Sequence, residues 1–199
     1  MPGTASRTCY PSRMEAKSRR LSTSTERRAE IIDAALEVFS VRGYYGTTTA
    51  AIAAAANLSE GYLYKIWPSK EALFVAVLEE VKLRLRAAIL ESIEGVEASG
   101  RPFSAADVLR ERAVRTGIDR NAAMVLLHAT AASSVPALRQ AVAECYSDQV
   151  DFLRLRLGAT DVEIQQYLAI GQLINSVNAL DPTPEEGSAW ADSLRGSGA

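Results

Sequence analysis

The chain contains very little cysteine and histidine. Its 199 residues include two cysteines, Cys9 and Cys145, and one histidine, His128. One cysteine lies in a polar segment and the other in a helical pattern, which argues against a disulfide framework and is typical of proteins from a reducing compartment. A single histidine without a cysteine cluster at ligand spacing predicts no metal site. We therefore expect a protein that depends on neither disulfides nor a metal.

Long apolar runs and secretory signals are also missing. No uninterrupted apolar stretch reaches the ~18 residues of a membrane-spanning helix, so we expect no contact with a membrane. The N-terminal segment is basic but lacks the apolar core of a signal peptide. These absences, together with the scarce cysteine, predict a cytoplasmic protein.

The sequence has no pattern that indicates catalysis. No nucleophile can be grouped with a histidine and a carboxylate, and no glycine-rich phosphate loop occurs, so we expect neither an enzyme nor a bound cofactor. Alternating strand patterns and sequence repeats are absent as well. Apolar residues make up 48% and charged residues 23%, a composition typical of globular proteins. Because the apolar residues recur at helical spacing, the sequence predicts an all-α fold.

Charge is distributed unevenly along the chain. The formal net charge is -2, yet residues 1–70 carry ten Lys/Arg and six Asp/Glu, whereas residues 71–199 carry twelve and eighteen. Phosphate groups attract the first part and repel the second. If the protein binds nucleic acid, the charges therefore predict that its N-terminal part makes the contact.

Residues 1–24 are predicted to form a disordered basic arm. The segment is rich in Ser, Thr, Pro, Arg and Lys and lacks periodicity. Its basic side chains can contact phosphates or enter a minor groove, and the alternative is a solvated tail without a role. Met14 offers an alternative translation start, which would remove half of the arm.

Deleting residues 1–22 tests the arm directly. If the arm contacts DNA, its removal lowers the affinity for DNA and flattens the salt dependence of binding, because each lost phosphate contact removes about 0.9 from the slope of log K against log salt. Titrations of DNA at several salt concentrations measure both quantities. An unchanged slope would show that the arm makes no phosphate contact.

Residues 25–70 predict three helices with the layout of a helix-turn-helix DNA-binding domain. A first helix buries Ile31, Ile32, Ala35, Val38 and Phe39 and ends at Gly43. Two short helices follow, and Asn57 and Leu58 form the turn between them. The predicted capping residues of the helices that follow Gly43 are Thr48, Ser59 and Ser69. Leu58, Leu63 and Trp67 are predicted to lie in the core.

The remaining chain predicts a helical body. A long helix starts after Ser69, with an apolar stripe at Leu73, Val77, Val81, Leu85 and Ala88. Glycine and proline predict a loop over residues 95–102. Further helices are expected at about 104–116, 120–132, 136–157 and 161–180, and a short one around 189–194.

Residues 28–74 resemble the DNA-binding domain of the TetR family of transcriptional regulators. The resemblance rests on many positions in order over nearly fifty residues: Ala34, Ala35, Val38, Phe39, Gly43, Tyr44, Thr47, Thr48, Ile52, Ala53, Leu58, Ser59, Gly61, Leu63, Tyr64, Trp67, Lys70 and Leu73. It implies an N-terminal three-helix helix-turn-helix domain at 25–70 and a helical effector-binding and dimerisation domain at 71–199. It also implies a transcriptional regulator, a repressor that a small molecule releases from a palindromic operator.

The DNA contacts are expected on the two short helices. The first turn of the helix after Ser59 would face base edges, so Glu60, Gly61 and Tyr62 are the candidates for base contacts. An acidic residue there can instead serve only the helix dipole. Hydroxyl and ammonium groups that could bind phosphates are supplied by Thr47, Thr48, Tyr64, Lys65 and Lys70, of which the resemblance favours Tyr64 and Lys70.

Three departures from the family pattern support an alternative function. Alanines at positions 50, 51, 54 and 55 replace the polar residues that are usual there, Asn57 replaces a turn glycine, and Ile66 replaces a common histidine. These changes remove potential phosphate contacts. The alternative is a helical small-molecule-binding or interaction protein with weakened DNA binding.

Effector and dimer residues follow mainly from the resemblance. A ligand cavity is expected among the helices between Arg86 and Tyr146, with Phe103, Met124, Leu127 and His128 as lining residues, although each could equally be core. A symmetric homodimer is expected because one helix-turn-helix is too small for operator specificity. Its interface is placed on helices 136–157 and 161–180, with Tyr146, Val150, Leu153, Leu168, Gly171 and Ile174 as contacts; these stripes could instead be intramolecular core.

Overall fold

The computed structural model describes residues 24–98, 100, 105, 108, 120–180 and 188–195. These residues form eight helices and no strand, which confirms the all-α prediction. The helices are α1 Ser24–Gly46, α2 Thr49–Ala55, α3 Glu60–Ile66, α4 Lys70–Ala98, α5 Arg120–Ala131, α6 Pro136–Leu157, α7 Asp161–Leu180 and α8 Ala189–Arg195. The predicted arm before Ser24, most of the predicted helix at 104–116, and Phe103 lie outside the described residues.

Side-chain caps fix the ends of the short helices as the sequence predicts. The Ala51 amide donates to Thr48 Oγ1 at 3.2 Å and begins α2. The Tyr62 amide donates to Ser59 Oγ, also at 3.2 Å, and begins α3. Between them Asn57 adopts a positive φ of 52°, which asparagine tolerates better than most residues. The predicted caps and turn are therefore confirmed.

Gly43 interrupts α1 near its end. Its backbone has φ 65° and ψ -177°, a combination that is essentially restricted to glycine. One further turn, through Gly46, follows the interruption. The sequence correctly predicts a break at Gly43, but it assigns the residues after the break to a plain connection.

The predicted loop at residues 95–102 is wrong in its first half, because α4 continues through Gly95 to Ala98. Ile93 and Val96 on this last part of α4 are buried in an apolar cluster. A single helical glycine costs only about 1 kcal/mol relative to alanine. The burial of two apolar side chains offsets that cost, so packing overrides the local preference.

The first apolar cluster joins the helix-turn-helix to the body. Phe39 of α1 packs edge-on against Phe74 of α4, with ring centroids 4.6 Å apart. Leu63 and Trp67 are buried in the same cluster, as predicted, and Leu58 packs partly buried against it. The cluster continues into α5 and the first half of α6. Helices α1–α3 therefore rest on the body through one continuous core.

A second apolar cluster occupies the far end of the body. It contains Ile89 and Ile93 of α4, Leu153 and Leu157 of α6, and Tyr167 of α7. The two clusters are separated along α6, between Val142 and Leu153. Packing is interrupted in this part of the body, and the cleft described below opens there.

Two further properties concern the described residues alone. None of their helices is both long and apolar enough to cross a membrane. In the same part of the chain, no group of three or more His, Cys, Asp or Glu side chains is arranged to hold a metal ion.

Candidate DNA-binding surface and ligand cleft

Helix α3 presents a polar face to solvent. Glu60, Gly61 and Lys65 are exposed, and Tyr62 and Tyr64 are 42% and 46% exposed. Behind this face Leu63 is buried in the first cluster, which fixes the rotation of the helix. Five of the predicted DNA-contacting residues thus lie together on one short helix and are accessible to a partner.

The structure of the protein does not require a glycine at position 61. A Cβ added at this position would meet no heavy atom within 4 Å. Its backbone is helical and without a positive φ, so the glycine costs roughly 0.5–1 kcal/mol relative to alanine. The first turn of α3 is thus open to a close approach from solvent.

A hydrogen-bonded group connects α2 to α3. The Thr49 hydroxyl donates to the Glu60 carboxylate and lies 3.1 Å from the Tyr64 hydroxyl. Thr49 is not among the site residues predicted from the sequence. Its position at the start of α2, directly after Thr47 and Thr48, was the signal that could have identified it. Through Thr49, the orientation of the two exposed side chains on α3 depends on α2.

Thr47 and Lys70 do not present the phosphate donors that the sequence predicts. The Thr47 side chain is buried, with 1% exposed, and its hydroxyl donates to Gly43 O at 2.7 Å. Lys70 Nζ donates to Tyr44 O at 2.9 Å and to Thr47 O at 3.1 Å. Both side chains hold the turn between α1 and α2, where backbone carbonyls at a helix end require donors. The burial of Thr47 rules out its predicted phosphate contact, whereas a phosphate contact of Lys70, whose ammonium has a third N–H, stays a prediction.

The same turn is braced by a charged hydrogen bond between helices α1 and α4. The Tyr44 hydroxyl donates to Glu71 Oε1 at 2.7 Å. This bond is the main reason that the pKa of Glu71 lies below its usual value. Burial, and then the bond to Glu71, raises the pKa of Tyr44. Both shifts favour the observed pairing of phenol and carboxylate at neutral pH.

The helix-turn-helix itself carries no net positive charge. Residues 1–23 hold five of the ten basic residues of segment 1–70 but only one of the six acidic ones. Residues 24–70 therefore contain five of each sign. On α2, Ala50, Ala54 and Ala55 are exposed and offer no side-chain donor. The electrostatic attraction predicted for the N-terminal part depends on residues 1–23, which lie outside the described residues.

Helices α1 and α5 form a polar joint between the helix-turn-helix and the body. The Ser40 hydroxyl lies 3.0 Å from Asn121 Oδ1, and His128 Nε2 lies 3.2 Å from Ser40 O. The hydroxyls of Tyr45 and Ser134 are 2.7 Å apart at the end of the joint. His128, predicted as an effector contact, instead packs against the break in α1. It occupies this position because Gly43 leaves room for its ring.

A cleft lies in the body between α4, α5, α6 and α7. Its volume is about 480 Å³ and it opens to solvent. The lining residues are Leu85, Leu126, Cys145, Tyr146, Gln149, Tyr167, Leu168, Gly171, Gln172 and Asn175. A smaller cleft of about 260 Å³, between α4 and α6, shares Leu85, Cys145 and Gln149 with it. The body thus has a solvent-open concave site between four helices.

Three of the predicted effector residues, Met124, Leu127 and His128, are not among the described residues that line this cleft. Met124 and Leu127 are half-buried on α5 but are not among its lining residues, and α5 reaches it through Leu126. His128 faces α1, as described above. Helical spacing shows that these side chains share apolar faces, but it does not show which face meets α7. These side chains therefore contact other parts of the protein, and the cleft is the candidate ligand site of the body.

A family model matches the helix-turn-helix segment of the chain. Residues 31–77 match the model described as bacterial regulatory proteins, tetR family. This segment runs from Ile31 in the first half of α1 to Val77 in the first part of α4 and includes the whole exposed face of α3. The match thus covers the helix-turn-helix and leaves most of the body outside it. The resemblance inferred from the sequence is thereby confirmed.

Curated transcriptional regulators match about a third of this chain. The HTH-type transcriptional regulator HbdR of Aromatoleum sp. strain CIB is 38% identical over 71 residues, which is 36% of this chain and 31% of HbdR. UidR of Escherichia coli K12 is 38% identical over 69 residues, 35% of each chain. The chain therefore matches about a third of the length of these relatives.

Solved structures extend the likeness to the body. FadR from Bacillus subtilis, a transcriptional regulator in complex with stearoyl-CoA, covers 84% of this chain and 95% of its own, at 20% identity and a TM-score of 0.58. A TetR-family regulator from Cytophaga hutchinsonii covers 90% of this chain and 94% of its own, at 19% identity and a TM-score of 0.62. The fold of the body is thus shared beyond the helix-turn-helix.

The six predicted dimer contacts pack within the protomer. Leu153 and Ile174 are buried, and Val150 and Leu168 pack against the second cluster. Tyr146, Leu168 and Gly171 line the cleft. These side chains form the core and the cleft wall of one protomer, which was the alternative left open by the sequence. Their contacts within the protomer favour core and cleft roles, and their part in a dimer interface stays a prediction.

The opposite side of α7 carries an exposed apolar stripe. Val162, Ala169, Leu173 and Leu180 are exposed and recur at intervals of seven, four and seven residues, a spacing that places them on one line of the helix. Trp190 and Leu194 of α8 are also exposed large apolar residues, and α8 packs beside α7. We call the side chains Val162, Ala169, Leu173, Leu180, Trp190 and Leu194 the α7–α8 stripe.

Proposed function

We propose that the chain is a sequence-specific DNA-binding regulator whose affinity for DNA changes when a small molecule binds the cleft. The observation that carries the proposal is the exposed face of α3, where Gly61 leaves the first turn open to a close approach. Helix N-terminal turns of this kind contact base edges in the major groove. We favour a repressor that leaves a palindromic operator when its effector binds.

Helix α5 supplies the connection between the cleft and the DNA-binding helices. Leu126 of α5 lines the cleft, and His128, two residues further along, contacts Ser40 of α1. A ligand that displaces Leu126 therefore moves a helix that also holds α1. An effector alters DNA binding only if it binds the two positions of α5 with different affinity. FadR, which shares the fold, binds stearoyl-CoA; this supports a ligand site in the body.

The DNA-binding form is proposed to be a homodimer that pairs through the α7–α8 stripe. Two copies are needed to place two α3 helices on the half-sites of a symmetric operator. An exposed apolar line with near-heptad spacing favours helix pairing. Such a protein acts where the DNA lies, so we place it in the cytoplasm and assign it no catalytic activity.

Replacing Leu173 with glutamate is expected to separate the dimer into monomers. Leu173 is 40% exposed in the protomer, so the change costs the folded monomer little, whereas two like charges would oppose each other across a symmetric interface. Sedimentation equilibrium measures the mass. Leu155→Glu is the matched control, because Leu155 on α6 is 88% exposed but lies outside the stripe. Monomers from both variants, or dimers from both, would contradict the proposed interface.

A second candidate function remains supported by the exposed alanines of α2 and the neutral charge balance of residues 24–70. Both features reduce the attraction to phosphates, which dominates affinity for DNA. The alternative is a small-molecule-binding protein whose helix-turn-helix binds DNA weakly or not at all.

Selection of bound sequences from a random duplex library separates the two candidates. A regulator enriches a two-fold symmetric sequence whose half-sites are about 10 base pairs, or a multiple of that distance, apart. Footprinting then shows protection of both half-sites. If no sequence is enriched even at low salt, the small-molecule-binding alternative is favoured.

A further inference from the structure

Asn175 is a buried polar side chain whose hydrogen-bonding groups are not used within the described part of the protein. It is 8% exposed, it lies on α7, and it lines the 480 Å³ cleft. No hydrogen bond or ion pair is recorded for its side chain among the described residues. Buried polar groups are nearly always satisfied, and an unsatisfied one costs about 1–3 kcal/mol. A ligand in the cleft is the partner that would satisfy this amide.

The described residues around Asn175 carry no charge. Among them, the lining of the cleft contains no Asp, Glu, Lys, Arg or His. Burial raises the pKa of the Cys145 thiol, which therefore stays neutral. Gln172 Nε2 donates to the Tyr146 hydroxyl, so these two polar side chains already pair with each other. Because transfer of an unpaired charge into such a site is costly, the cleft disfavours an ionised ligand.

The neighbouring smaller cleft has charges of both signs in its lining, from Lys82, Arg86 and Asp148. Its Lys82 Nζ donates to Glu79 at 2.6 Å and to Asp148 at 2.9 Å. The ammonium is therefore held by two carboxylates. Arg86 lies with its guanidinium 5.0 Å from the centre of the Phe152 ring. An anionic ligand that entered this side would meet the carboxylate of Asp148 beside Lys82.

We propose that the cleft binds an uncharged effector that carries a primary carboxamide or lactam edge, and that Asn175 pairs with this edge. The side chain of asparagine presents one acceptor next to a two-hydrogen donor, and an amide edge matches both groups in one plane. The assignment of a chemical class rests on the proposed role of the cleft as the effector site.

Gly171 and the apolar walls determine where the rest of the ligand lies. Gly171 precedes Asn175 by four residues on α7, so both face the cleft one turn apart. A Cβ at Gly171 would meet no atom within 4 Å, which leaves space for a ring beside the amide-binding group. Leu85 and Leu126 form apolar walls. The effector is thus an apolar or aromatic ring that bears an amide edge.

The experiment compares isosteric neutral and charged probes on the full-length protein. The probes are benzamide, cinnamamide and 2-naphthamide, each paired with its carboxylate, and binding is measured by ligand-observed NMR and calorimetry. At least one carboxamide should bind the wild type about tenfold or more tightly than its carboxylate. Asn175→Leu should weaken that carboxamide by about tenfold, the effect of a lost buried hydrogen bond.

Two further variants control the measurement. Gly171→Leu fills the space for the ring and should abolish carboxamide binding while Asn175 is retained. Asn178→Leu changes the same residue type on the same helix, outside the cleft lining, and should leave the affinity unchanged. If Asn175→Leu does not fold, the carboxamide affinities of Gly171→Leu and Asn178→Leu still show whether the probes occupy this cleft. The ratio of the wild-type affinities for carboxamide and carboxylate then decides the chemical class.

The proposed ligand class is overturned if no carboxamide binds, if the carboxylates bind equally well, or if Asn175→Leu folds and retains full affinity. DNA binding of the same preparation is measured separately. A protein that binds its selected DNA but no carboxamide refutes the ligand class alone. A protein that binds the carboxamide through Asn175 but no DNA supports the ligand class and refutes the regulator.

Discussion

Replacing Gly43 with alanine is expected to destabilise the protein by about 2–4 kcal/mol. The backbone of Gly43 lies at φ 65° and ψ -177°, where a side chain is strained by about 1–3 kcal/mol. The added Cβ would also lie 2.9 Å from His128 Nδ1, closer than packed atoms approach. Chemical denaturation of wild type and variant, followed by far-ultraviolet circular dichroism, measures the change in the free energy of unfolding.

A double-mutant cycle with His128→Ala separates the two causes. Removing the ring relieves the contact but not the backbone strain, so Gly43→Ala should cost about 1 kcal/mol less in the His128→Ala background. Gly95→Ala serves as the control, because Gly95 is helical and its Cβ would meet nothing within 4 Å. That change should stabilise the protein by roughly 0.5–1 kcal/mol. Equal costs of Gly43→Ala in both backgrounds would show that His128 does not restrict this position.

Replacing Gly61 with leucine is expected to change stability and DNA affinity in opposite directions. The free protein leaves space for the side chain, and leucine favours helix more than glycine does, so the variant should be about 0.5–1 kcal/mol more stable. The same side chain would separate the first turn of α3 from the base edges. The affinity of the Gly61→Leu variant for the selected operator should fall about 10- to 100-fold, the effect of losing one or two good base contacts.

Fluorescence anisotropy of labelled operator measures the affinity, and denaturation measures the stability of the same samples. Gly95→Ala is again the control, because it replaces an exposed helical glycine far along α4. It should leave DNA affinity unchanged. If Gly61→Leu binds the operator as tightly as wild type, the first turn of α3 does not approach DNA closely, and a different surface must make the contact.

The sequence predicts local structure well wherever local chemistry determines it. Thr48, Ser59 and Ser69 each accept a hydrogen bond from a backbone amide at the start of a helix, which is the reason these residue types favour such positions. Asn57 takes the positive φ that its type tolerates. These features depend on neighbours within a few residues, so one sequence is sufficient to infer them.

The sequence predicts side-chain roles poorly wherever distant helices meet. Thr47 and Lys70 have the right chemistry for phosphates, but carbonyl groups of the turn occupy their donors. The lining of the cleft comes from four helices between positions 85 and 175. Helical spacing shows which face of a helix is apolar, but it does not show which other helix packs against that face. On α7, the predicted dimer contacts therefore lie on the face that forms the cleft wall. The opposite face carries the exposed stripe that we propose for the dimer.

The affinity of the full-length protein for its selected operator, measured against salt concentration and beside a scrambled duplex of equal length, tests the central claim most directly. The claim predicts tight binding to the operator, with log K falling linearly with log salt by about 0.9 for each phosphate contact. It also predicts that the scrambled duplex binds at least about a thousandfold more weakly at physiological salt. Equal affinity for both duplexes, or no binding at low salt, would contradict the assignment of α3 as a sequence-specific DNA-binding helix.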